Sequence, residues 1–395
     1  MSMLALLVVL AQVPPPASAS AAGPLDFTED AKALFRVVAC GSDAPLPPNV
    51  DAKVVEAHCK EMQRRYGKYR AMWIKEATPF IEGLKPAGLP TTVVYPFGGG
   101  DLISALTTYP SAKEITTMSL EHAGDPRRLL KGIDAKQLEQ SLQLLRYTSS
   151  GLLVANDSKT ENLMKVQRGE LPGQLCFFLM GLAAHGYEPV QLRYVKLNAD
   201  GSPRYLTAED LQSLEKKEAT LLHKAWVSPD FSEAFDNLEL VFVKKGEDPK
   251  TQARVHRHFA QNLDDKHFGL DTAMQAYLDA RKPIVAMTKA ASYLLWRDDF
   301  RLIRDYLLSH MEFMVSDSTG VPPKLAQKAG FSQQAYGHFA ESFLPANATY
   351  NEDFRQLWKT AKPLKFRYGY LDKNLSMHML VTFRAAPDGG APLEQ

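Results

Sequence analysis

The sequence predicts an α/β protein with a mostly parallel central sheet, an N-terminal helical elaboration and added C-terminal strands. Three observations carry this expectation. Short apolar, β-branched runs alternate with amphipathic stretches of helical period, the order that lays helices against a parallel sheet. The stretch Thr92-Val-Val-Tyr-Pro-Phe-Gly-Gly-Gly-Asp101 leads through a short helical run to Glu114-Ile-Thr-Thr-Met-Ser-Leu-Glu121, reading as strand, glycine turn, helix and strand. Finally, a chain of 395 residues that is 45% hydrophobic and 23% charged has ample material for a buried core.

Taken in order, residues 1–22 read as a signal peptide, because Leu4-Ala-Leu-Leu-Val-Val-Leu-Ala-Gln-Val13 is a short apolar run followed by prolines and then by the small residues Ala17-Ser-Ala-Ser-Ala-Ala22. No Lys or Arg precedes the run. The run is too short to span a bilayer, and no later stretch reaches the roughly 20 apolar residues a transmembrane helix needs, so no transmembrane anchor is expected. The expected product is exported and soluble, periplasmic or extracellular. With 46 basic and 45 acidic residues the formal net charge is +1, which supplies no long-range field for nucleic acid or an anionic membrane. Nothing in the composition names a protein partner.

Residues 23–87 form an N-terminal helical segment, with apolar and charged positions at helical spacing as in Val54-Val-Glu-Ala-His-Cys-Lys-Glu-Met-Gln-Arg-Arg-Tyr66. Within it Cys40 and Cys59 flank a Pro-, Gly- and Asp-rich loop. In an oxidising compartment they would form a disulfide, and in the cytoplasm they would be two unrelated thiols. Cys176, inside the run Leu175-Cys-Phe-Phe-Leu-Met-Gly-Leu182, reads as a small buried hydrophobe. Pro86, Gly88 and Pro90 end the helices and open an α/β domain over residues 88–385, whose first strand, at Val93, should be central.

Further along, residues 134–149 are expected as an amphipathic helix and Leu171 to His185 as a more apolar one ending at Gly186. Pro189 to Leu197 alternates as a strand, and Asn237 to Val243 pairs with Arg254 to Phe259 as a hairpin across a charged turn. Asp271 to His310 reads as helical with a break near Pro283, followed by a strand and turn from Phe313 to Pro322. Leu364 to Tyr370 and Met377 to Phe383 are the last expected strands, and residues 386–395 a loose tail.

Candidate chemistry starts at the glycine turn. Gly98, Gly99 and Gly100 permit positive φ and close approach of a ligand to the backbone, and Asp101 can either cap the next helix or touch a ligand. Glu121 and His122 stand at the second strand end, where α/β ligands bind. Lys289 and Ser292, read as three apart on one helical face, and Asp317 in a turn are the candidate catalytic residues together with Asp101. Lys289 could pair with Asp101 or Asp317, or it could reach solvent. His256 and His258, two apart on one strand face, with Asp264, Asp265 and His267 close behind, could be drawn as a metal site. Their spacing does not establish convergent geometry, and no metal is assigned.

Gly98 and Gly100 match the first two glycines of the dinucleotide pattern, Ile103 stands where the third belongs, and Glu121 occupies the ribose-binding place. The pattern resembles a degenerate class I methyltransferase or Rossmann fingerprint, which implies a Rossmann/methyltransferase-like sheet and an S-adenosylmethionine-like cofactor. A second resemblance rests on Tyr95-Pro-Phe-Gly-Gly-Gly-Asp101, Lys289-Ala-Ala-Ser-Tyr-Leu294 and Asp317-Ser-Thr-Gly-Val-Pro322. Together these look like an uncharacterised family of exported bacterial proteins with a Tyr-Pro-Phe-x-Gly-x-Asp motif. Similar sequences tend to read Asp-Asp-Ser-Gly-Ile-Pro at the last motif, so Ser318 and Thr319 depart from it. The resemblance implies no reaction. The expected function is a small-molecule, nucleoside-like pocket at Gly98 to Asp101. The alternative is a noncatalytic envelope or secreted interaction protein that retains the fold.

Overall fold

Residues 23–129, 131–155, 170–215, 232–289, 291–340, 350–369 and 377–384 are described by a computed structural model. The expected signal peptide and the expected tail lie outside them. The strands are β1 (Thr92–Pro96), β2 (Glu114–Ser119), β3 (Tyr187–Leu197), β4 (Pro203–Tyr205), β5 (Leu238–Lys244), β6 (Arg254–Ala260), β7 (Ile284–Thr288), β8 (Met311–Ser316), β9 (Phe331–Gly337) and β10 (His378–Arg384). They form one sheet in the order β4-β3-β5-β6-β2-β1-β7-β8-β10-β9.

The fold is α/β, and its sheet is mixed. The five central strands, β6-β2-β1-β7-β8, are parallel. Both wings are antiparallel, β5, β3 and β4 on one side and β10 and β9 on the other. The expectation of a mostly parallel sheet therefore holds for the centre alone. Chain connectivity explains the wings: β5 and β6 are joined by the short charged turn foreseen from the sequence, and so short a connection permits only an antiparallel pair. In the centre, β7 is buried at every residue and β1 and β2 at all but the first, as strands covered on both faces require.

Helices α1 (Thr28–Val37) and α2 (Ala52–Tyr69) open the chain, and α2 runs through a π-helix, Arg70–Ala77, into α3 (Thr78–Glu82). Asp51 caps α2 by accepting from the Val54 N–H. Next come α4 (Leu102–Thr108), α5 (Ala135–Thr148) and α6 (Gly173–His185). On α5, Asp134 and Gln137 form a reciprocal capping box. Helix α6 is buried from Gly173 through Ala184 and stops at Gly186, whose φ of 74° ends the helix in the left-handed conformation. The N-terminal helices, α4, α5, α6 and one face of the sheet share a single hydrophobic cluster that includes Phe35, Trp73, Tyr95 and Phe178.

Two expectations change. The segment Asp271 to His310 is not one broken helix: a helix at Thr272–Asp279 gives way to strand β7, then to short 3-10 turns and a helix at Arg301–His310. Ile284-Val-Ala-Met-Thr288 is a short, wholly apolar run apart from its last residue, and such a run carries no period that separates helix from strand. Lys289 and Ser292 consequently do not share a helical face: Lys289 follows β7, and Ser292 begins the 3-10 turn Ser292–Trp296. Nor does Leu364 to Gly369, the described part of the strand expected over Leu364 to Tyr370, form a strand. It makes one isolated bridge, Tyr368 to Met377, and the edge strand beside β10 is β9, which the sequence reading passed over.

No helix among the described residues is long and apolar enough to cross a membrane. Cys40 and Cys59 are disulfide-bonded, with Cα atoms 5.3 Å apart and a sequence separation of 19. The bond clips α2 to the segment that follows α1. Closing a loop of this length restricts the unfolded chain, so Cys59→Ser should lower unfolding stability by about 3 kcal/mol in urea titrations, with reductant producing the same shift in the wild type. Equal midpoints with and without reductant would show that the bond contributes nothing.

Candidate functional site

The chain leaves β1 through α4 to pair β2 on one side, whereas β7 later adds to the other side of β1. Connections from the carboxyl ends of β1 and β7 thus diverge, which opens a natural place for a ligand at that end of a parallel sheet. The three sequence motifs meet there, since Asp101 follows β1, Lys289 follows β7 and Asp317 follows β8.

The glycine turn is tied down on both sides. Gly98 N–H donates to Met118 O of β2 at 3.0 Å, and Asp101 N–H donates to Gly98 O at 3.0 Å. Phe97 and Gly99 take positive φ, 61° and 49°. A Cβ on Gly98 would lie 2.8 Å from the Tyr95 ring, and one on Gly100 would lie 2.4 Å from Gln174 Oε1 and 3.0 Å from Phe177. The glycines therefore allow Tyr95 and the first turns of α6 to close onto the turn.

Asp101 is fully buried and caps α4 by accepting from Ser104 N–H at 3.2 Å. Its second oxygen accepts from the Tyr95 hydroxyl at 3.0 Å and lies 3.7 Å from Lys289 Nζ. Lys289 is itself wholly buried, donates to Ser104 Oγ at 2.9 Å and stands 5.5 Å over the Tyr368 ring. Of the two partners the sequence offered Lys289, the structure selects Asp101. A narrow cleft between the π-helix and α4, with Trp73, Ser104 and Tyr368 in its wall, has no room for a water-sized molecule.

Ser292 meets Asp317, a pairing the sequence did not suggest, through side chains on two loops. Ser292 Oγ donates to Asp317 Oδ1, which also accepts from Thr319 N–H and Oγ1, each at 3.0 Å. Asp317 Oδ2 is buried without a hydrogen-bond partner among the described residues. Ser318 N–H donates to His378 Nδ1 at 3.0 Å, and Trp358 Nε1 donates to Ser318 O at 3.1 Å, so the turn is packed from both sides.

At the end of β2, Glu121 is 3% exposed and neither carboxylate oxygen has a partner among the described residues. His122 Nδ1 bonds Asp236 at 2.7 Å. Gln174, in the first turn of α6, is fully buried, and neither end of its amide is hydrogen-bonded among the described residues. Gln174 was missed by the sequence reading. Its signal was present as the single polar side chain opening an otherwise apolar run, because a buried polar group is more informative than a buried apolar one.

His256 and His258 do face one side of β6, both fully buried, and share Thr117 Oγ1 at 2.9 Å each. His258 Nε2 donates to Glu121 O at 2.7 Å, so its Nδ1 accepts from Thr117 and Thr117 accepts from His256. This leaves only a lone pair of His256 Nδ1 unmatched. Asp264, Asp265 and His267 lie elsewhere: Asp264 caps a short helix and pairs with His267 at 2.7 Å, while Asp265 accepts from Leu302 N–H at 2.8 Å. The five residues are not brought together, and no group of three or more metal-ligating side chains occurs among the described residues. In comparisons with known proteins, no family model and no curated protein matches the chain.

Two tests follow from this chemistry. Asp101→Ala removes the carboxylate that faces the fully buried Lys289 ammonium, so it should cost about 3–5 kcal/mol of stability in denaturant titrations. Asp317→Asn, which removes a carboxylate lacking a cationic partner and keeps Oδ1 as an acceptor, should leave stability unchanged or raised; a loss as large as that of Asp101→Ala would show that the Asp317 charge is itself compensated. Burial also holds His58, His185 and His258 down at about 4 from 6.5, and His256 well below 6.5. These histidines are neutral when folded and titrate near 6.5 when unfolded, so the unfolded chain binds more protons as pH falls from 6.5 towards 4. Stability should drop through that window by roughly 1.4 kcal/mol per unit for each histidine. Identical urea midpoints at pH 7 and pH 5 would contradict the neutral, buried assignment.

Proposed function

We propose that this protein binds a nucleoside-like small molecule at the carboxyl ends of β1 and β2. One observation carries the reading: Glu121 is buried with no partner among the described residues, whereas Asp101 and Glu239, also buried, are each matched by cations. A buried carboxylate without a partner is costly, and such groups concentrate where a ligand completes them. An acid at the end of the second strand, beyond a glycine turn, is placed to accept the hydroxyls of a ribose. The strand order supports the same reading. Numbered along the chain, the five parallel strands lie 3-2-1-4-5, the order of doubly wound nucleotide-binding folds, and this favours the Rossmann/methyltransferase-like architecture.

Within this proposal Gly98, Gly99 and Gly100 bring the backbone close to the ligand, and Glu121 and His122 flank its sugar. Asp101 holds the turn in place through its cap and its pair with Lys289. Lys289, Ser292 and Asp317 line the neighbouring strand ends without defining a reaction. The Cys40–Cys59 bond is compatible with an oxidising, exported setting, in which an extracellular nucleoside is a more accessible ligand than S-adenosylmethionine. A second reading, a noncatalytic interaction protein, is favoured by one observation, the filling of the glycine turn by Tyr95, Gln174 and Phe177.

The two readings separate in a thermal-shift screen of the purified protein against nucleosides, S-adenosylmethionine, sugars and divalent metals. A ligand at a hundredfold excess over Kd stabilises by about 2.7 kcal/mol. The expected outcome is a rise in Tm with a nucleoside that Glu121→Gln abolishes, while the unliganded variant melts at or above the wild-type temperature. A flat response to every nucleoside would transfer the weight to the interaction protein.

A further inference from the structure

The geometry points to Gln174 as the residue that selects the base of the ligand, with an adenine-type edge as its match; this rests on the nucleoside reading above. Its place is set from two sides. Gln174 N–H donates to His122 O at 3.5 Å, just beyond Glu121, and Oε1 stands over Gly100, 2.4 Å from where a Cβ would sit. The amide thus lies between the turn after β1 and the strand end after β2. It is fully buried, with both Oε1 and Nε2 unpartnered among the described residues.

A carboxamide offers one acceptor beside one donor, and an ionised carboxylate offers acceptors only. Two neighbouring groups of these kinds ask for different things. Glu121 matches hydroxyl donors, whereas Gln174 matches an edge carrying a donor next to an acceptor. Adenine presents that edge on both its Watson–Crick and its Hoogsteen side, its 6-amino group beside N1 or N7, whereas guanine offers only acceptors on the Hoogsteen side, and adenine pairs with a glutamine amide through two hydrogen bonds. Leaving the amide unmatched in the interior is unfavourable, so a base lacking either atom is discriminated against. Because both side chains are buried, the ligand reaches them only when the contact between the glycine turn and the first turn of α6 opens, and Gly100 is where that contact is made.

The test compares adenosine with purine riboside, which keeps the ring and the ribose but lacks the 6-amino donor, by calorimetric titration of the full protein. Wild type should bind adenosine about tenfold more tightly. Gln174→Leu should bind the two equally, and the near-isosteric Gln174→Glu, which exchanges the donor for an acceptor, should also lose the preference. Equal binding of both nucleosides by wild type, in a manner still sensitive to Glu121→Gln, would overturn the role of Gln174 and leave the site reading standing. Absence of binding by adenosine, purine riboside, guanosine and uridine alike would overturn both.

Discussion

The contact on which this end of the molecule depends is the buried pair between Asp101 and Lys289. It joins the residue that follows β1 to the residue that follows β7, the two strands between which the sheet changes direction of winding. Neither group meets water, so their attraction is effective only because the remaining donors and acceptors are matched as well. Tyr95 and Ser104 supply those matches, the first from within β1 and the second from α4. One carboxylate therefore orients the helix after β1, fixes a tyrosine under the glycine turn and receives the lysine of the neighbouring strand. The turn can adopt its positive φ values at Phe97 and Gly99 because both of its ends are held.

Charge matching elsewhere shows how selective this arrangement is. Glu239 is 2% exposed, and it is met by Arg193 and Arg257 across β3, β5 and β6. The buried histidines of β6 also settle their protons locally, through Thr117 and a backbone carbonyl, at the cost of one idle lone pair. Against these cases Glu121 and Asp317 stand apart. Both follow parallel strands at the same end of the sheet, and both keep buried oxygens without partners among the described residues. Unpartnered buried polar atoms also occur elsewhere among the described residues, such as Trp73 Nε1, Arg304 Nε and Asp353 Oδ2, but Glu121 leaves both oxygens of its carboxylate unmatched.

Legibility in the sequence followed how much of each feature was local. The strand, glycine turn, helix and strand from Thr92 to Glu121 declared themselves through burial pattern and turn chemistry, and the β5–β6 hairpin through its charged connection. β7 was hidden because five buried residues have no readable period, and β9 because Phe331-Ser-Gln-Gln-Ala-Tyr-Gly337 is too polar to stand out as a sheet edge. Asp101, Lys289, Ser292 and Asp317 were legible as a set because each lies in one of the three motifs, Tyr95–Asp101, Lys289–Leu294 and Asp317–Pro322. Their pairing was not, because it depends on the order in which β1, β7 and β8 enter the sheet. Gln174 belongs to a different class of omission: its meaning arises only when α6 packs on Gly100, a contact between residues 74 positions apart in the chain.

That packing also bears on why a glycine turn persists where its space is occupied. A turn serving only to reverse the chain would tolerate an apolar neighbour above Gly100, and Phe177 already provides one. Placing an amide there as well adds a buried polar group with neither end hydrogen-bonded among the described residues. An apolar side chain of similar volume would pack in its place without the penalty of burying an amide. In the proposed site, the hydrogen bonds that Gln174 and Glu121 lack among the described residues would favour opening, against the apolar contacts of α6 with the sheet. Under the nucleoside proposal, a ligand that satisfied both groups would recover that free energy on binding, and the residues that weaken the closed arrangement would be the ones that give the site its specificity.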